Sequence, residues 1–430
     1  MADRMRQRAL LRALYDAAVA RAHPSVCLPP SLPVPGPSGR VIILAAGKAA
    51  GSMAAVAEQW YADEHGLGPD RLTGLAVTRI GYAQPTRWIG MVEAGHPVPT
   101  QSGIDATRRA LELAAGAGPD DLVLVLISGG GSANWIAPAG NLDLAGKQAI
   151  TRAMLRSGAS IGEINTLRKR LSLIKGGRLA RVAAPARLLT LAISDVPGDD
   201  PSTIASGPTV PDPTTTAEAR AIVAKYGVDL PPAAAALLAD PANETPKPGD
   251  PIFARAEFRI VARPRDSLDA AIALARDEGY EVVDLGADVE GEARDVAARQ
   301  AAMARDMAAA GRRVAILSGG ELTVTIRGQG RGGPNQEFAL ALAVALDGAS
   351  GIAALAGDTD GTDGGGGDPD DPAGAIVDET TLARAAAAGV DPAARLADND
   401  STGFFEAVGD LLVPGPTRTN VNDLRVLLVG

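Results

Sequence analysis

The sequence predicts an α/β protein with two domains and mainly parallel sheets. Its 430 residues exceed what one compact core usually supports, which favours two domains. Short apolar runs alternate along the chain with alanine-rich segments of helical spacing. Strands that alternate with long helices are typical of parallel sheets covered by helices, and ligands of such folds bind beyond the carboxyl ends of the strands. The loops that follow the strands are therefore the first places to look for function.

The first half of the chain begins with a predicted helix, since the charges of residues 1–22 are spread throughout and no signal peptide pattern is present. After the proline-rich segment 24–39, apolar runs predict strands at 40–45, 74–78, 91–93, 122–127 and 188–193. The spacing of apolar residues between them predicts helices over 48–60 and 103–116.

The second half follows a segment rich in proline and polar residues, 230–251, which predicts a domain boundary and places the domains at 1–240 and 241–430. Apolar residues predict strands at 257–262, 281–284, 313–317 and 352–356, and a helix over 338–346. Apolar and polar residues alternate over 322–327, which predicts another strand. The run GGGGDPDDP, 364–372, predicts a mobile surface loop.

Composition limits the kind of partner that this chain can have. A formal charge of -10 argues against general affinity for nucleic acid or acidic membranes, and no apolar run is long enough to span a bilayer. The single cysteine, Cys27, precludes an intrachain disulfide, and three histidines are too few for a histidine-built metal site. We therefore expect a cytoplasmic protein that acts on a small molecule; the oligomeric state stays open, with a homodimer among the options.

Two glycine loops follow the predicted strands 40–45 and 122–127. Gly47 and Lys48 stand where a helix is expected to begin, a place suited to phosphate, although the spacing is not that of a Walker A loop and a surface lysine is an equal alternative. Consecutive glycines in the second loop let the backbone approach a ligand, and the flanking serines can hydrogen-bond to it. The second loop consists of Ser128, Gly129, Gly130, Gly131 and Ser132.

Aspartates follow two further strands. Asp195, after strand 188–193, is placed to hold Mg²⁺ or to activate a hydroxyl, although such sequences also form plain turns. Asp358 and Asp360 follow strand 352–356 in a loop that lacks the closing glutamate of a calcium-binding EF-hand. Two carboxylates at this place suit Mg²⁺ with substrate phosphates as further ligands.

The stretch 319–337 carries the strongest single signal. A turn of Gly319, Gly320 and Glu321 ends strand 313–317, and further on four glycines surround Arg331 before the next helix. Glycine N–H groups, an arginine and a helix N-terminus form a site suited to anionic oxygen atoms, whereas the alternative is a flexible hairpin loop. Other candidates for ligand contact on this stretch are Arg327, Asn335 and Glu337.

Basic residues concentrate in the segment 164–194, which contains seven of them and no acidic residue. On a chain of net negative charge, such a segment attracts an anion. Part of it is expected to be a solvated helix face. Lys175, in the sequence KGGR, is the candidate for ligand contact.

Together these motifs resemble the glycerate 2-kinase family, the class II glycerate kinases whose C-terminal half is known as the MOFRL domain. The resemblance covers almost the whole chain, from about residue 44 to 424, and its motifs occur in the family's order. The matching segments are AAGKAAGSMA, EAGHPVPTQSG, LISGGGSA, RKRLSLIKGGRLA, AISDVPGDDPSTIASGPTVPD, LSGGELTVTIRGQGRGGPNQEFALALA, AGDTDGTDG and GPTRTNVNDL.

The resemblance implies two dissimilar α/β domains, a Rossmann-like one with a mainly parallel sheet and a C-terminal one with a mixed sheet, with the active site in the cleft between them. It implies ATP-dependent phosphorylation of the 2-hydroxyl of D-glycerate with Mg²⁺, giving 2-phosphoglycerate and ADP. Lys48 and Arg331 match the family's proposed catalytic residues, and we expect them to flank the transferred phosphoryl group. Asp195 is expected at the metal with Asp358 or Asp360. The 128–132 loop is expected to hold glycerate or phosphate.

Some residues depart from the family's pattern. Arg170 stands where the family usually has histidine, and Asn134 and Trp135 replace two apolar residues, which leaves the range of acceptors open. An oxidoreductase of the hydroxypyruvate reductase type is the main alternative, because relatives have carried that label. The dinucleotide signature G-x-G-x-x-G after a strand is absent from the sequence. A sensor that binds ATP or a sugar acid without catalysis is a second alternative.

Overall fold

The structure is a computed structural model that describes residues 2–364, 368 and 370–430. Two helices open the chain, α1 (Ala2–Ala22) and α2 (Pro24–Cys27). The chain then folds into two units, one formed by Cys27–Val261 and the other by Met1–Val26 together with Ala262–Gly430. Within the described ranges, no helix is both long and apolar enough to cross a membrane.

The unit Cys27–Val261 is built on a six-stranded sheet of order β3-β2-β1-β4-β5-β6, in which neighbouring strands from β1 to β5 run parallel. Every residue of β1 and β4 is buried, because helices pack on the sheet and leave neither face in water. The strands are β1 (Val41–Ala46), β2 (Leu72–Arg79), β3 (Ile89–Ala94), β4 (Leu122–Ile127), β5 (Arg187–Ile193) and β6 (Ala256–Ala262).

The helices of this unit follow the predicted alternation with the strands. A short π-helical turn, Trp60–Glu64, extends the first of them. The helices are α3 (Ala50–Gln59), α4 (Gln101–Ala115), α5 (Gly131–Asn134), α6 (Leu144–Arg156), α7 (Ile161–Arg170), α8 (Arg178–Ala183), α9 (Thr216–Tyr226) and α10 (Pro232–Ala239).

The strand order changes direction at β1. Its neighbours are β2 on one side and β4 on the other, so the chain leaves β1 in one direction and returns on the opposite side. Ala46 at the end of β1 lies beside Ile127 at the end of β4. The two predicted glycine loops therefore begin side by side at the carboxyl edge of the sheet, the usual place for a ligand in this class of fold.

The second unit contains a mixed six-stranded sheet of order β13-β12-β11-β14-β9-β7, as the family resemblance implied. In this sheet β7 and β9 pair in parallel, and the other neighbouring strands pair antiparallel. The strands β8 and β10 form a separate parallel pair. The strands are β7 (Glu281–Asp284), β8 (Gly291–Glu292), β9 (Val314–Ser318), β10 (Leu322–Thr323), β11 (Ile352–Asp358), β12 (Gly374–Val377), β13 (Leu411–Leu412) and β14 (Asp423–Val429).

The first helix of the chain belongs to this second unit. Tyr15 and neighbouring apolar residues of α1 are buried against the sheet, and the Tyr15 hydroxyl donates a hydrogen bond to the carbonyl of Asp358 at 2.7 Å. Arg8 pairs with Asp378 and Asp410, both at 2.7 Å. The remaining helices are α11 (Pro264–Asp277), α12 (Ala293–Ala309), α13 (Pro334–Leu346), α14 (Thr381–Ala387), α15 (Pro392–Ala397) and α16 (Ser401–Val408).

The division into units differs from the predicted ranges 1–240 and 241–430 at both ends. The segment 1–26 packs with the C-terminal residues, because the buried face of α1 finds its apolar partners there. Residues 241–261 stay with the first unit, where Phe253, Phe258 and Ile260 pack against its core. Proline-rich sequence therefore marks loops here, whereas the units divide where apolar packing changes.

The predicted strand 322–327 is wrong beyond its second residue. Only Leu322–Thr323 pairs as a strand, because the amides that follow bond to side chains: Thr325 N–H donates to Glu292 at 3.0 Å and Arg327 N–H to Asn399 at 2.7 Å. The sequence analysis also missed β8, β12, β13 and β14. Of the predicted loop 364–372, residues 365–367 and 369 lie outside the described residues.

Candidate active site

The loops after β1 and β4 hold each other in place. The N–H of Lys48 donates to the Gly129 carbonyl at 2.8 Å, and the N–H of Ala49 donates to the Ser128 hydroxyl at 2.9 Å. Gly47 has a φ of 124°, and a Cβ there would overlap the Ser128 hydroxyl. Ser128 is fully buried, so its side chain positions the two loops.

Gly130 brings two side chains to one point. Its φ is 82°, and a Cβ there would lie 2.9 Å from the His96 ring and 3.3 Å from Lys48 Cγ. The half-buried Lys48 is therefore next to the glycine loop. His96 follows β3 and was part of the segment EAGHPVPTQSG, yet the sequence analysis gave it no role. A histidine in a loop directly after a strand was the signal that could have identified it.

Ser132 and Lys175 form a second contact between predicted residues. The buried Lys175 Nζ donates to the Ser132 carbonyl at 2.9 Å, and the hydroxyls of Ser132 and Ser206 are 2.8 Å apart. The N–H of Gly131 donates to the Ser128 carbonyl, which closes the turn. The loops at 128–132, 172–177 and 204–207 therefore meet at this edge of the sheet.

A cavity of about 410 Å³ opens beside Gly130, Ser132 and Lys175. Further residues that line it include His96, Lys147, Arg152 and Arg168, and none of its described lining residues is acidic. Burial, together with the charge of Arg168, lowers the pKa of Lys147 to about 7. Burial also holds the pKa of Lys175 well below its usual value, and Lys147 and Arg168 add to this effect. The cavity is thus a cluster of basic groups whose charged forms an anion would stabilise.

Asp195 lies at the same edge of the sheet. It follows β5 by two residues, β5 runs parallel to β4, and the Asp195 side chain is half-buried. This placement agrees with the sequence analysis, which expected a carboxylate at the carboxyl end of a buried strand.

The second unit contains the predicted glycine and arginine loop. Arg331 is exposed, and its guanidinium pairs with Glu406 at 2.7 Å. Its backbone is fixed from both sides, since its N–H donates to Asp400 and its carbonyl accepts from the Thr402 N–H at 2.9 Å. Arg327 is also exposed. Hydrogen bonds therefore fix the backbone of this loop, which is not a flexible hairpin, and two arginine side chains lie at its surface.

Asn335 and Glu337 are committed to the interior of this unit. Asn335 is 1% exposed and donates through Nδ2 to Asp363 at 3.1 Å and to Asp423 at 2.7 Å. Glu337 is 2% exposed and accepts from Arg294 Nε at 2.6 Å. The sequence analysis expected both at a ligand, because it could not tell which residues of the first helical turn face inward.

The turn Gly319–Gly320 packs closely on other backbone. The Gly319 N–H donates to the Gly286 carbonyl at 2.9 Å, and Gly320 has a φ of 94° with no room for a side chain beside Val289. Glu321, which follows the turn, is exposed.

The aspartates expected at a metal bond partly to backbone. Asp358 Oδ1 accepts from the Asp360 N–H at 2.9 Å, and Asp360 Oδ1 accepts from the Thr362 N–H at 2.8 Å. Asp360 is buried and Asp358 is half-buried. Over the residues that the structure describes, no group of three or more histidine, cysteine, aspartate or glutamate side chains is arranged to hold a metal ion.

The departures from the family pattern lie in the interior. Arg170 is fully buried and pairs with Asp212 at 2.5 Å and with Glu244 at 3.0 Å, so this residue does not line the cavity. Asn134 and Trp135 are also buried, and the polar side-chain atoms of both have no hydrogen-bond partner among the described residues. None of the three is among the residues that line the cavity beside the glycine loop.

Comparison with known proteins is consistent along the chain. The profile of a domain of unknown function, DUF4147, matches residues 10–239, and that of the MOFRL family matches residues 314–423. A protein of Agrobacterium vitis named "Putative hydroxypyruvate reductase" is 50% identical over 98% of this chain and 94% of its own length. The D-glycerate 2-kinase of Thermotoga maritima is 39% identical over 91% of each chain.

A solved structure supports the same relationship. The crystal structure of glycerate kinase from Thermotoga maritima is similar with a TM-score of 0.87 and 37% identity, covering 99% of this chain and 100% of that one. Both α/β units, the parallel sheet and the mixed sheet agree with this relationship. The chain belongs to the glycerate 2-kinase family, with a MOFRL domain in its C-terminal part.

Proposed function

We propose that this protein is a glycerate kinase that transfers a phosphoryl group from ATP to the 2-hydroxyl of D-glycerate, giving 2-phosphoglycerate and ADP. The observation that carries the proposal is the cation-lined cavity next to Lys48 and the glycine loop, at the carboxyl edge of the parallel sheet. Both substrates of such a reaction are anions, and nothing acidic among the described lining residues would repel them. The name of the Thermotoga maritima relative, which is 39% identical, agrees with this reaction.

In the proposed reaction, the 2-hydroxyl oxygen of glycerate forms a bond to the γ-phosphorus while the bond from that phosphorus to the bridging oxygen of ADP breaks. Negative charge on the moving phosphoryl oxygens needs fixed cations, and Lys48 is the one that the glycine loop positions. By the family resemblance, Arg331 is the second cation that we propose for the phosphoryl oxygens. The hydroxyl proton has to leave, and the Asp195 carboxylate is our candidate to accept it.

In this proposal magnesium arrives with the nucleotide. A nucleotide-bound Mg²⁺ needs about one or two protein carboxylates. Our candidates for such a carboxylate are Asp195 in the first unit, and Asp358 and Asp360 in the second. When bound, Mg²⁺ neutralises charge on the phosphate oxygens.

Release of ADP in the presence of D-glycerate tests the proposal, and phosphorus NMR of the product tests whether C2 or C3 carries the phosphate. We expect Lys48→Ala and Arg331→Ala each to lower kcat by about a hundredfold or more, because each removes a cation from the transition state. Lys225→Ala is the control, since this exposed lysine pairs with Glu163 and does not line the cavity. Undiminished turnover by the Lys48 variant would reject its catalytic role.

The same preparation distinguishes the alternatives. The name of the Agrobacterium vitis relative favours hydroxypyruvate reduction as the second candidate, which predicts NADH oxidation with hydroxypyruvate and no ADP release with glycerate. A sensor predicts binding of ATP without formation of ADP. Turnover with NADH alone would replace the kinase proposal by the reductase.

A further inference from the structure

The cavity beside the glycine loop gathers basic side chains that no carboxylate among its lining residues balances. Lys147 and Lys175 are 6% and 2% exposed, and each ammonium donates one hydrogen bond, to the carbonyls of Leu171 and Ser132. The Arg168 guanidinium makes no hydrogen bond or ion pair with any described residue. Buried cations without a carboxylate partner are costly, so this arrangement calls for an anionic ligand of more than one charge.

Apolar side chains also line the cavity. Val98 and Leu155 at its lining are 60% and 59% exposed, and Pro99, Ala133 and Ile136 continue the same surface. One helix supplies much of the lining, because Lys147, Gln148, Thr151, Arg152 and Leu155 share a face of α6. Gln148 Nε2 donates to the Pro99 carbonyl at 3.1 Å and so fixes α6 to the loop after β3.

The volume of the cavity indicates which of the two substrates of the proposed kinase it fits. A cavity of about 410 Å³ lies in the range of about 300–1,000 Å³ that is typical of sites for ligands much larger than a three-carbon acid. Glycerate would leave the exposed apolar side chains in water, whereas a nucleotide has both a polyanionic end and a flat apolar base. The chemistry of the walls therefore matches a nucleoside triphosphate from end to end.

We infer that this cavity, resting on the proposed kinase function, is the nucleotide site, with the phosphates at Lys147, Arg168 and Lys175 and the base against Val98 and Leu155. The γ-phosphate then points to Gly130, where Lys48 and His96 meet. The three consecutive basic residues at the end of α7 have different surroundings. Arg168 faces the ligand, while Lys169 and Arg170 pair with Asp212 inside the fold.

Protonation of Lys147 gives a signature of phosphate contact. The charged groups that face it are Arg168 from α7, Lys175 from the following loop and Arg152 from its own helix. With a pKa of about 7, Lys147 is largely neutral at pH 8, and an adjacent phosphate raises that pKa. Binding of nucleotide at pH 8 should therefore take up protons, which calorimetry in buffers of different ionisation enthalpy measures. Binding without proton uptake would contradict contact between the phosphates and Lys147.

Matched variants test the assignment directly. Calorimetric titration with the β,γ-imido analogue of ATP should show affinity about tenfold to a hundredfold weaker for Arg168→Ala, because charge-assisted hydrogen bonds are lost. Leu155→Asp should weaken binding about tenfold, because it places a carboxylate where the base packs. The controls are Arg156→Ala, on the same helix but outside the lining, and Ile161→Asp, at a residue 58% exposed and also outside it.

The outcomes separate this inference from the proposed function. The KM for D-glycerate should stay within about twofold in both cavity variants. A KM for D-glycerate that rises tenfold, with unchanged affinity for the ATP analogue, would assign the cavity to the acceptor and overturn the inference. Should the wild-type protein bind the analogue but release no ADP with glycerate, the site would stand and the kinase proposal would fail.

Discussion

The Asp212 carboxylate is the residue whose loss we expect to cost the first unit most. It accepts from Lys169 Nζ at 3.2 Å and from Arg170 Nη1 at 2.5 Å, and the three side chains are 0–5% exposed. Thr214 and Thr245 donate to the same carboxylate at 2.8 and 2.9 Å. Replacement by asparagine keeps the volume but leaves two buried cations with too little negative charge.

The magnitude follows from burial. Removing one partner of a buried ion pair costs about 3–5 kcal/mol, and 1 kcal/mol shifts the melting temperature of a domain of this size by about 2–4 °C. Asp212→Asn should therefore lower the melting temperature of the unit Cys27–Val261 by roughly 6–20 °C. Glu244, which also pairs with Arg170, favours the lower half of this range.

The matched control is Asp63→Asn in the same unit. Asp63 pairs with Arg87 at 2.7 Å, but their side chains are 40% and 54% exposed, so the loss should stay below about 1 kcal/mol. Differential scanning calorimetry at pH 7 compares the two variants. Equal shifts in both would refute our account of the buried cluster. Because α7 also carries Arg168 into the cavity, Asp212→Asn should in addition raise the KM for ATP.

The further predictions concern Gly130, Glu337 and unfolding at acid pH. Gly130→Ala should lower kcat about tenfold or more, because the added methyl group would meet the His96 ring. The control is Gly158→Ala, where φ is a similar 76° but no atom lies nearby, so we expect only a loss of about 1–2 kcal/mol of stability. Steady-state kinetics of the two variants checks this prediction. Glu337→Gln should destabilise the second unit in calorimetry and leave the KM for ATP unchanged, since Glu337 is buried against Arg294; a raised KM at unchanged stability would restore it as a ligand. Burial alone would raise the pKa of Asp212, but Lys169 and Arg170 outweigh it, and the net shift is downward. The ionised Asp212 carboxylate therefore contributes to the free energy of unfolding above the unfolded pKa of about 3.9, and this contribution is lost as the pH falls further. The difference in stability between wild type and Asp212→Asn should accordingly shrink in unfolding measurements below about pH 4.

Motifs that follow a strand were predictable because their position depends on local chain geometry. Apolar runs such as VIILAA and LVLVLI are too short for helices and contain no polar break, so β1 and β4 were identified within a residue. Parallel pairing then brings Gly47 and Ser128 to one edge without any further information. The end strand β14 was missed, although DLRVLLV carries a similar apolar signal at the very end of the chain.

Residues whose role depends on burial could not be assigned from local sequence. Lys147 stands on a helix of ordinary amphipathic spacing, and only packing shows that its ammonium is buried and lines a cavity. The run Arg168-Lys169-Arg170 is uniform as sequence, yet α7 turns by about 100° per residue and sends neighbouring side chains to different surroundings. Asp212, more than forty positions later, decides which two of the three are neutralised inside. The one left without a carboxylate, Arg168, is therefore the cation that remains for a ligand.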